Sequence, residues 1–191
     1  MHIPGGSDYR NERRAFVDTL HSLTPEEFER GATLCEGWAP RDVLAHLLGV
    51  DRSIQTYVKA GGNTRKANAV LVAEHASLSR EELLDRAEKW AQAPALHARM
   101  LAPFLLGDVA IHHQDVLRGL GKSRDVPGPV GAAILREGLI LGGFLKLRSH
   151  RIVPTDGGRA MGRGPTVTGT REVLGLWLSG RRGLETELLF G

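Results

Sequence analysis

The sequence of 191 residues is poor in cysteine, with Cys35 as its single example. One cysteine excludes an internal disulfide framework and a metal site built from cysteines alone. The first residues lack the apolar core of a signal peptide, and the most apolar later run, residues 138–147, is too short to cross a bilayer. We therefore expect a cytoplasmic protein with no membrane partner.

A large excess of charge is also missing, because 25 Lys and Arg face 22 Asp and Glu. The resulting net charge of +3 permits an acidic ligand but does not require nucleic acid. The chain contains no phosphate-binding loop, dinucleotide fingerprint or Ser-His-Asp nucleophile elbow. We expect small molecules as partners and no nucleic acid, and leave a homodimer open.

What the chain does have is a long series of helical patterns. The Thr24-Pro-Glu-Glu27 segment has the form of a capping box, with proline at the first helical position. We predict helices over residues 8–22, from 25, from 40 to about 59, and over 66–76, 79–93, 104–120 and 129–148. After residue 150 the patterns RIVPTD, PTVTG and ETELLF predict short strands, with a helix before the last of them. The predicted fold is mainly α: a four-helix bundle over 1–149 with a small α/β extension over 150–191 packed on it.

The predicted helix over 104–120 has an apolar core face and an unusual number of polar groups beside it. At 3.6 residues per turn, Asp108, His112 and Asp115 form a stripe on one flank of the core face, and His113 lies on the other flank. Gly107, Gln114 and Arg118 fall on the side that we predict to face solvent.

A second predicted helix repeats this feature, because His46 lies at the edge of its inward face with Asp42 one turn earlier. If the two helices are neighbours, His46, Asp108 and His112 can converge on one ion. Two imidazoles and a carboxylate suit Zn²⁺ or another first-row divalent metal, and three ligands leave a coordination position open, as catalytic metals require. Asp115 or Asp42 could then orient a ligand histidine.

Each of these residues also has a simpler interpretation. A single inward histidine is more often a satisfied core residue, and Asp42 suits the first turn of a helix, where the dipole favours an acid. His113 is expected to pack or to meet solvent. Cys35 is expected to be a loop thiol rather than a nucleophile, and Trp38 to close the end of the bundle or line a pocket mouth. The segments GGNTRKAN and SGRRG could bind an anion, but solvated turns are the favoured interpretation.

Three segments resemble, in order, the mycothiol-dependent maleylpyruvate isomerase family of the DinB-like superfamily. LCEGWAPRDVLAHLLG (34–49) is similar to its Leu-Cys-x-Gly-Trp signature with a downstream Asp-x-x-x-His-Leu. DVAIHHQDVLRGLG (108–121) resembles its second motif, an acid-x-x-x-His-x-x-Asp, and 155–181 resembles its closing segment. The resemblance implies a DinB-like four-helix bundle with a divalent metal, zinc first among the candidates, held by His46, Asp108 and His112. Asp108 stands where the family usually carries the longer Glu, which leaves open a displaced metal, weaker binding or water in place of this ligand.

The resemblance also implies a function. Characterised members use mycothiol, a low-molecular-weight thiol of actinobacteria, which a metal with an open position can activate as a thiolate. The favoured expectation is a mycothiol-dependent transferase or isomerase that acts on a small electrophile. Two alternatives stay open: a hydrolase of the same fold that uses metal-bound water, and a non-catalytic binding or regulatory protein with a decayed metal site.

Overall fold

The computed structural model describes residues 6–50, 59, 61, 63–92 and 101–191. The helices in chain order are α1 Gly6–Ser22, α2 Pro25–Arg30, α3 Pro40–Val50, α4 Thr64–Ala73, α5 Arg80–Gln92, α6 Ala102–Gly119, α7 Gly128–Gly138, the three-residue α8 Phe144–Lys146 and α9 Arg171–Leu178. The strands are β1 Arg151–Pro154, β2 Met161–Gly162, β3 Thr166–Gly169 and β4 Leu189–Phe190. The predicted continuation of α3 beyond residue 50 falls mostly outside the described residues.

Helices α1, α3, α5 and α6 pack against one another as the predicted four-helix bundle, with α3 and α6 in contact. Their apolar faces form a continuous core that includes Phe16, Leu44 and Ile111. Sequence capping signals set two of the helix starts. Thr24 and Glu27 make a reciprocal capping box at α2, and Ser79 and Glu82 make another at α5.

The prediction that Gly107, Gln114 and Arg118 of α6 face solvent is wrong, because α7 packs against this side of the helix. Gly107 is buried at this contact, where a Cβ atom would lie 2.8 Å from that of Glu137. Gln114 is only 1% exposed, with its amide nitrogen placed toward Glu172 and its oxygen toward Arg124. Arg118 forms ion pairs with Glu172 and Glu187. The C-terminal segment thus covers polar residues that periodicity alone assigns to solvent.

The C-terminal segment forms a four-stranded sheet in the order β2-β1-β3-β4. β1 pairs parallel with β3, with Ile152 opposite Val167, while β2 and β4 are antiparallel edge strands. Three strands occur where the sequence predicts them, although residues Glu185–Glu187 form a 3₁₀ turn and β2 was not predicted. Ile152 and Val167 belong to the same hydrophobic core as the bundle. The division into 1–149 and 150–191 stays a prediction.

One stretch of the described chain, Gly128–Lys146, is long and apolar enough to cross a membrane by length and composition alone. It includes α7, a wider turn over Leu139–Gly143 and α8, and it bends at Gly142, whose φ is +149°. Val130, Ala133 and Ile134, in its first half, are buried in the core. Ile140 and Leu141, in the wider turn, are instead half exposed.

Candidate functional site

The structure brings His46, Asp108 and His112 together where α3 meets α6. His46 Nε2 lies 3.8 Å from Asp108 Oδ2, and His112 Nε2 lies 3.6 Å from Asp108 Oδ1. The two imidazole rings are 4.8 Å apart between centroids. Ligands of one tetrahedral zinc ion, each 2.0–2.1 Å from it, are separated by about 3.3 Å. The ligand atoms of the three side chains all lie within 4.8 Å of one another, so they are close enough to share an ion after small side-chain movements.

His46 is buried without the hydrogen bonds that such burial normally requires. Its side chain is 3% exposed, and within the described part of the chain neither ring nitrogen has a hydrogen-bond partner. The 3.8 Å separation from Asp108 is too long for a hydrogen bond. Burial lowers the pKa of His46 despite the opposing effect of Asp108, so the ring is neutral at neutral pH. A neutral imidazole with a free nitrogen is the form that binds a metal.

A second carboxylate, that of Asp115, contacts His112 at the ring nitrogen that faces away from Asp108. His112 Nδ1 lies 2.9 Å from Asp115 Oδ2, which orients the ring with Nε2 toward Asp108. Burial opposes protonation of His112, but its hydrogen bonds to Asp115 and Cys35 raise its pKa to about 10. Burial likewise acts against ionisation of Asp115, yet the partners His112 and Arg181 hold its pKa well below the usual range. A metal at this site must therefore displace a proton from His112.

Arg181 is a site residue, so the prediction of a solvated turn for SGRRG is wrong at this position. Its guanidinium donates to both carboxylate oxygens of Asp115, Nε to Oδ1 at 3.0 Å and Nη2 to Oδ2 at 2.7 Å. It reaches the bundle because α9 ends in a Schellman motif: Arg181 N–H donates to Leu176 C=O, Gly180 N–H donates to Trp177 C=O, and Gly180 has a φ of +91°. The Ser-Gly-Arg run is the sequence signal that could have located this helix end.

Cys35 and Trp38 also belong to the site, through the turn that precedes α3. Trp38 N–H donates to Cys35 C=O, and Gly37 between them has a φ of +79°, which disfavours any other residue. Cys35 Sγ donates to Asp115 Oδ2 at 3.0 Å, and the Trp38 ring lies 5.3 Å from the His46 ring. Trp38 thus lines the pocket, one of its two predicted roles. The Cys35 thiol is part of the polar cluster.

A cavity of about 790 Å³ opens onto these side chains. Its lining includes Cys35, His46, Asp108, His112, Glu137 and Arg181 as polar residues. Its apolar lining includes Leu34, Trp38, Val50, Phe104, Leu105, Ile140 and Leu141. Asn68 contributes as well, from α4, which confirms the predicted helix over 66–76 but begins two residues earlier, at Thr64, within the segment expected to be a solvated turn.

Two predicted polar residues lie outside this group. The Oδ2 atom of Asp42 accepts the Ala39 N–H at 2.9 Å, a contact at the start of α3 and not at His46. His113 is fully buried and packs rather than meeting solvent. Its Nδ1 lies 2.8 Å from Glu12 Oε1 and its Nε2 lies 2.8 Å from Thr19 Oγ1. Burial lowers the pKa of His113, with a smaller opposing effect from Glu12.

Two donor sets in the described chain could hold a metal, and they share His112. The first is His46, Asp108 and His112, and the second is Cys35, His112 and Asp115. In the second set Arg181 already donates to both oxygens of Asp115, and a guanidinium cation beside a metal ion is unfavourable. The first set, with the unpartnered His46 and a cavity beside it, fits a metal better.

The fold and this cluster define a class: a DinB-like helical bundle with a buried histidine and carboxylate site at a cavity. Residues 9–103, about half of the chain, match the family model of the mycothiol maleylpyruvate isomerase N-terminal domain. The matched range contains His46 and ends before Asp108. The chain belongs to the mycothiol-dependent maleylpyruvate isomerase family.

Solved structures agree with this assignment at the level of the fold. The crystal structure of the mycothiol-dependent maleylpyruvate isomerase superposes with a TM-score of 0.70 at 14% identity, over 100% of this chain and 93% of that chain. A variant of that enzyme gives a TM-score of 0.69 with the same identity and coverage. Among curated proteins, no sequence matches this chain significantly.

Proposed function

We propose that this protein is an enzyme that holds a divalent metal, zinc by preference, with His46, Asp108 and His112. We further propose that it activates mycothiol for transfer to, or isomerisation of, a small electrophile. The observation that carries the proposal is His46, whose ring is buried beside Asp108 and His112 with both nitrogens unpartnered within the described chain. Burial of polar groups without partners is costly, and a metal ligand is the partner that this donor set suits.

When bound, a zinc ion there would act as a Lewis acid that lowers the pKa of a thiol sulfur. Two neighbouring side chains orient the ligand His112. Asp115 accepts the Nδ1–H of His112 and so leaves Nε2 as the coordinating atom, an arrangement that also makes the imidazole a better donor. Arg181 holds Asp115 from the other side and keeps this carboxylate ionised.

The cavity supplies the remaining requirements of such a reaction. Trp38 covers the His46 and His112 rings at centroid distances of 5.3 and 6.2 Å and limits the access of water to them. The apolar walls strengthen electrostatic interactions inside the cavity, because they replace solvent by a medium of low dielectric constant. The volume of about 790 Å³ accommodates a thiol and a small electrophile together.

Metal analysis of the purified protein tests the proposal first. We expect about one divalent ion per chain, lost in His46→Ala and in His112→Ala. The matched control is His21→Ala, because His21 is half exposed and pairs with Glu88 away from the cavity. A folded wild-type protein without stoichiometric metal, or metal retained in both site variants, would reject the proposal and favour the non-catalytic alternative.

The thiol is tested separately with the Co²⁺-substituted protein. We expect mycothiol to perturb the visible absorption spectrum of cobalt, because a sulfur ligand enters the coordination sphere. An unchanged spectrum at saturating mycothiol would reject thiol activation and favour the hydrolase alternative. A cytoplasmic location and a homodimer stay predictions beside this proposal, which invokes neither nucleic acid nor membrane.

A further inference from the structure

We infer that the electrophile taken by this site is an uncharged, largely apolar molecule rather than a dicarboxylate. This inference rests on the proposed function, and it concerns the substrate class of the same cavity. Its basis is the distribution of charge and apolar surface among the described residues that line the cavity.

The rim of the cavity is apolar although it is open to solvent. Phe104 is 60% exposed, and Ile140 and Leu141 are each 52% exposed, yet all three line the cavity. Large apolar side chains at an open rim are the usual marker of a ligand-binding surface, since burying them against a ligand recovers hydrophobic free energy. Trp38 and Leu105 continue this apolar surface inward. A ligand that crosses this rim gains from apolar contact.

The cavity offers no free cation within the described chain. Apart from His112, whose proton a bound metal displaces, Arg181 is the cationic residue among its described lining, and it donates two hydrogen bonds to the fully buried Asp115. Recognition of a carboxylate by arginine normally uses this same pair of donors. Moving Arg181 away from Asp115 would remove a cationic partner from a buried carboxylate and would strongly destabilise the folded protein. The Arg181 guanidinium therefore pairs with Asp115 and is not available to bind a substrate anion.

Carboxyl groups already occupy the cavity. Glu137 and Asp108 line it, with Glu36 exposed at its edge. Glu137 has no hydrogen bond or ion pair to another described residue. Glu137 is partly buried and shares the cavity lining with Asp108, so this part of the cavity already holds two carboxyl groups. A dicarboxylate would add two further charges of the same sign.

A bound divalent metal does not reverse this balance. Of its two positive charges, the Asp108 carboxylate neutralises one and a thiolate neutralises the other. Glu137 and Glu36 then face the substrate without a free counter-charge among the described lining residues. An uncharged electrophile avoids this repulsion and the desolvation of its own charges.

Dimethyl maleate and maleate form a matched pair of substrates for the test. In the isomerisation, the thiolate forms a C–S bond at one olefinic carbon, and the π electron pair moves to an enolate. Rotation about the resulting C–C single bond follows, and the enolate pair then re-forms the double bond and expels the thiolate. Atoms and electrons balance, and the thiol is regenerated.

We expect kcat/KM with mycothiol to favour the diester over the dianion by more than about 100-fold, after division by the uncatalysed rate with free mycothiol. Such a ratio corresponds to about 2.7 kcal/mol of discrimination. Equal or preferred conversion of maleate would overturn the inference. Conversion of neither compound would count against the isomerase activity but not against thiol transfer, and the binding experiment would then decide the inference.

Binding without chemistry is measured with dimethyl phthalate and phthalate, which are unreactive, by calorimetry on the metal-loaded protein saturated with mycothiol. We expect the diester to bind more tightly. Phthalate binding as tightly as its ester, or an ester that does not bind, would overturn the inference.

Glu137→Gln should tighten phthalate binding by about five-fold, because it removes one nearby negative charge. Glu36→Gln is the control, since its exposed charge is screened by solvent and should matter less.

Discussion

His112 and His113 are consecutive residues of α6, yet their rings meet opposite environments. We call the side of His112, with Asp108 and Asp115, the open flank, because it borders the cavity. The side of His113, with Glu12 and Thr19, is the sealed flank, where the ring is completely buried. Consecutive helical positions are about 100° apart, so adjacent side chains face different neighbours.

The difference between the flanks lies in how completely their polar groups are satisfied. On the sealed flank both nitrogens of His113 have partners, and Arg124 also pairs with Glu12. On the open flank His46 has no partner among the described residues. A satisfied buried network stabilises a fold, whereas an incomplete one beside a cavity is suited to a ligand. Histidines and carboxylates therefore stabilise the fold on the sealed flank, whereas on the open flank we propose that they bind a metal.

The largest expected effect separates the two histidines directly. His112→Ala should abolish stoichiometric metal binding, because it removes a ligand. His113→Ala should keep the metal but destabilise the fold by about 3 kcal/mol, because the buried Glu12 loses one of its two partners. Metal content by mass spectrometry and urea unfolding of the metal-free proteins measure both outcomes. Loss of metal from a folded His113→Ala protein would remove the distinction between the flanks.

The carboxylates behind the two histidines offer the next comparison. Asp115→Asn should weaken metal affinity by about 10-fold to 100-fold, because the carboxylate that orients His112 and makes it a stronger donor is lost. Glu12→Gln should leave metal affinity unchanged and lower stability instead. Competition with a chromophoric chelator measures the affinities. Equal affinities in wild type and Asp115→Asn would show that Asp115 does not support a ligand.

Glu137 tests whether the cavity on the open flank disfavours negative charge. The pKa of Glu137 is raised from 4.5 to about 7 in the folded protein, so the folded state binds the proton more tightly than the unfolded state does. The stabilisation that results is complete below pH 4.5 and is lost as pH rises through 7. Glu137→Gln should therefore be more stable than wild type at pH 8, by about 1–2 kcal/mol after allowance for partial exposure. Urea unfolding at pH 5 and pH 8 gives the comparison. An equal difference at both pH values contradicts this prediction.

The smallest expected effect is that of Asp108→Glu, which introduces the longer acid usual in the family. Because the Asp108 oxygens already lie 3.6 and 3.8 Å from the histidine nitrogens, the shorter side chain reaches the site without help. We expect metal affinity to change by less than about ten-fold, against a larger loss in Asp108→Ala. A much tighter Asp108→Glu variant would show instead that aspartate limits metal binding in this chain.

Helical periodicity predicted correctly that His46, Asp108 and His112 can meet. Each residue lies on an apolar helix whose inward arc can be identified from sequence, and α3 does contact α6. The same reasoning was wrong for Gln114, because periodicity does not reveal that α7 and the C-terminal segment cover that face. It also left Arg181 in a turn, since nothing local shows that this turn lies beside Asp115, 66 residues away in the chain.

The sequence by itself determined the helices, their caps and which flank of α6 each polar side chain occupies, because these depend on neighbours within a few residues. The tertiary structure alone decided which flank is sealed and which one opens onto a cavity. That choice depends on contacts between distant segments, such as Glu12 with His113 and Arg181 with Asp115. Desolvation and long-range charge pairs then give the two adjacent histidines opposite pKa shifts.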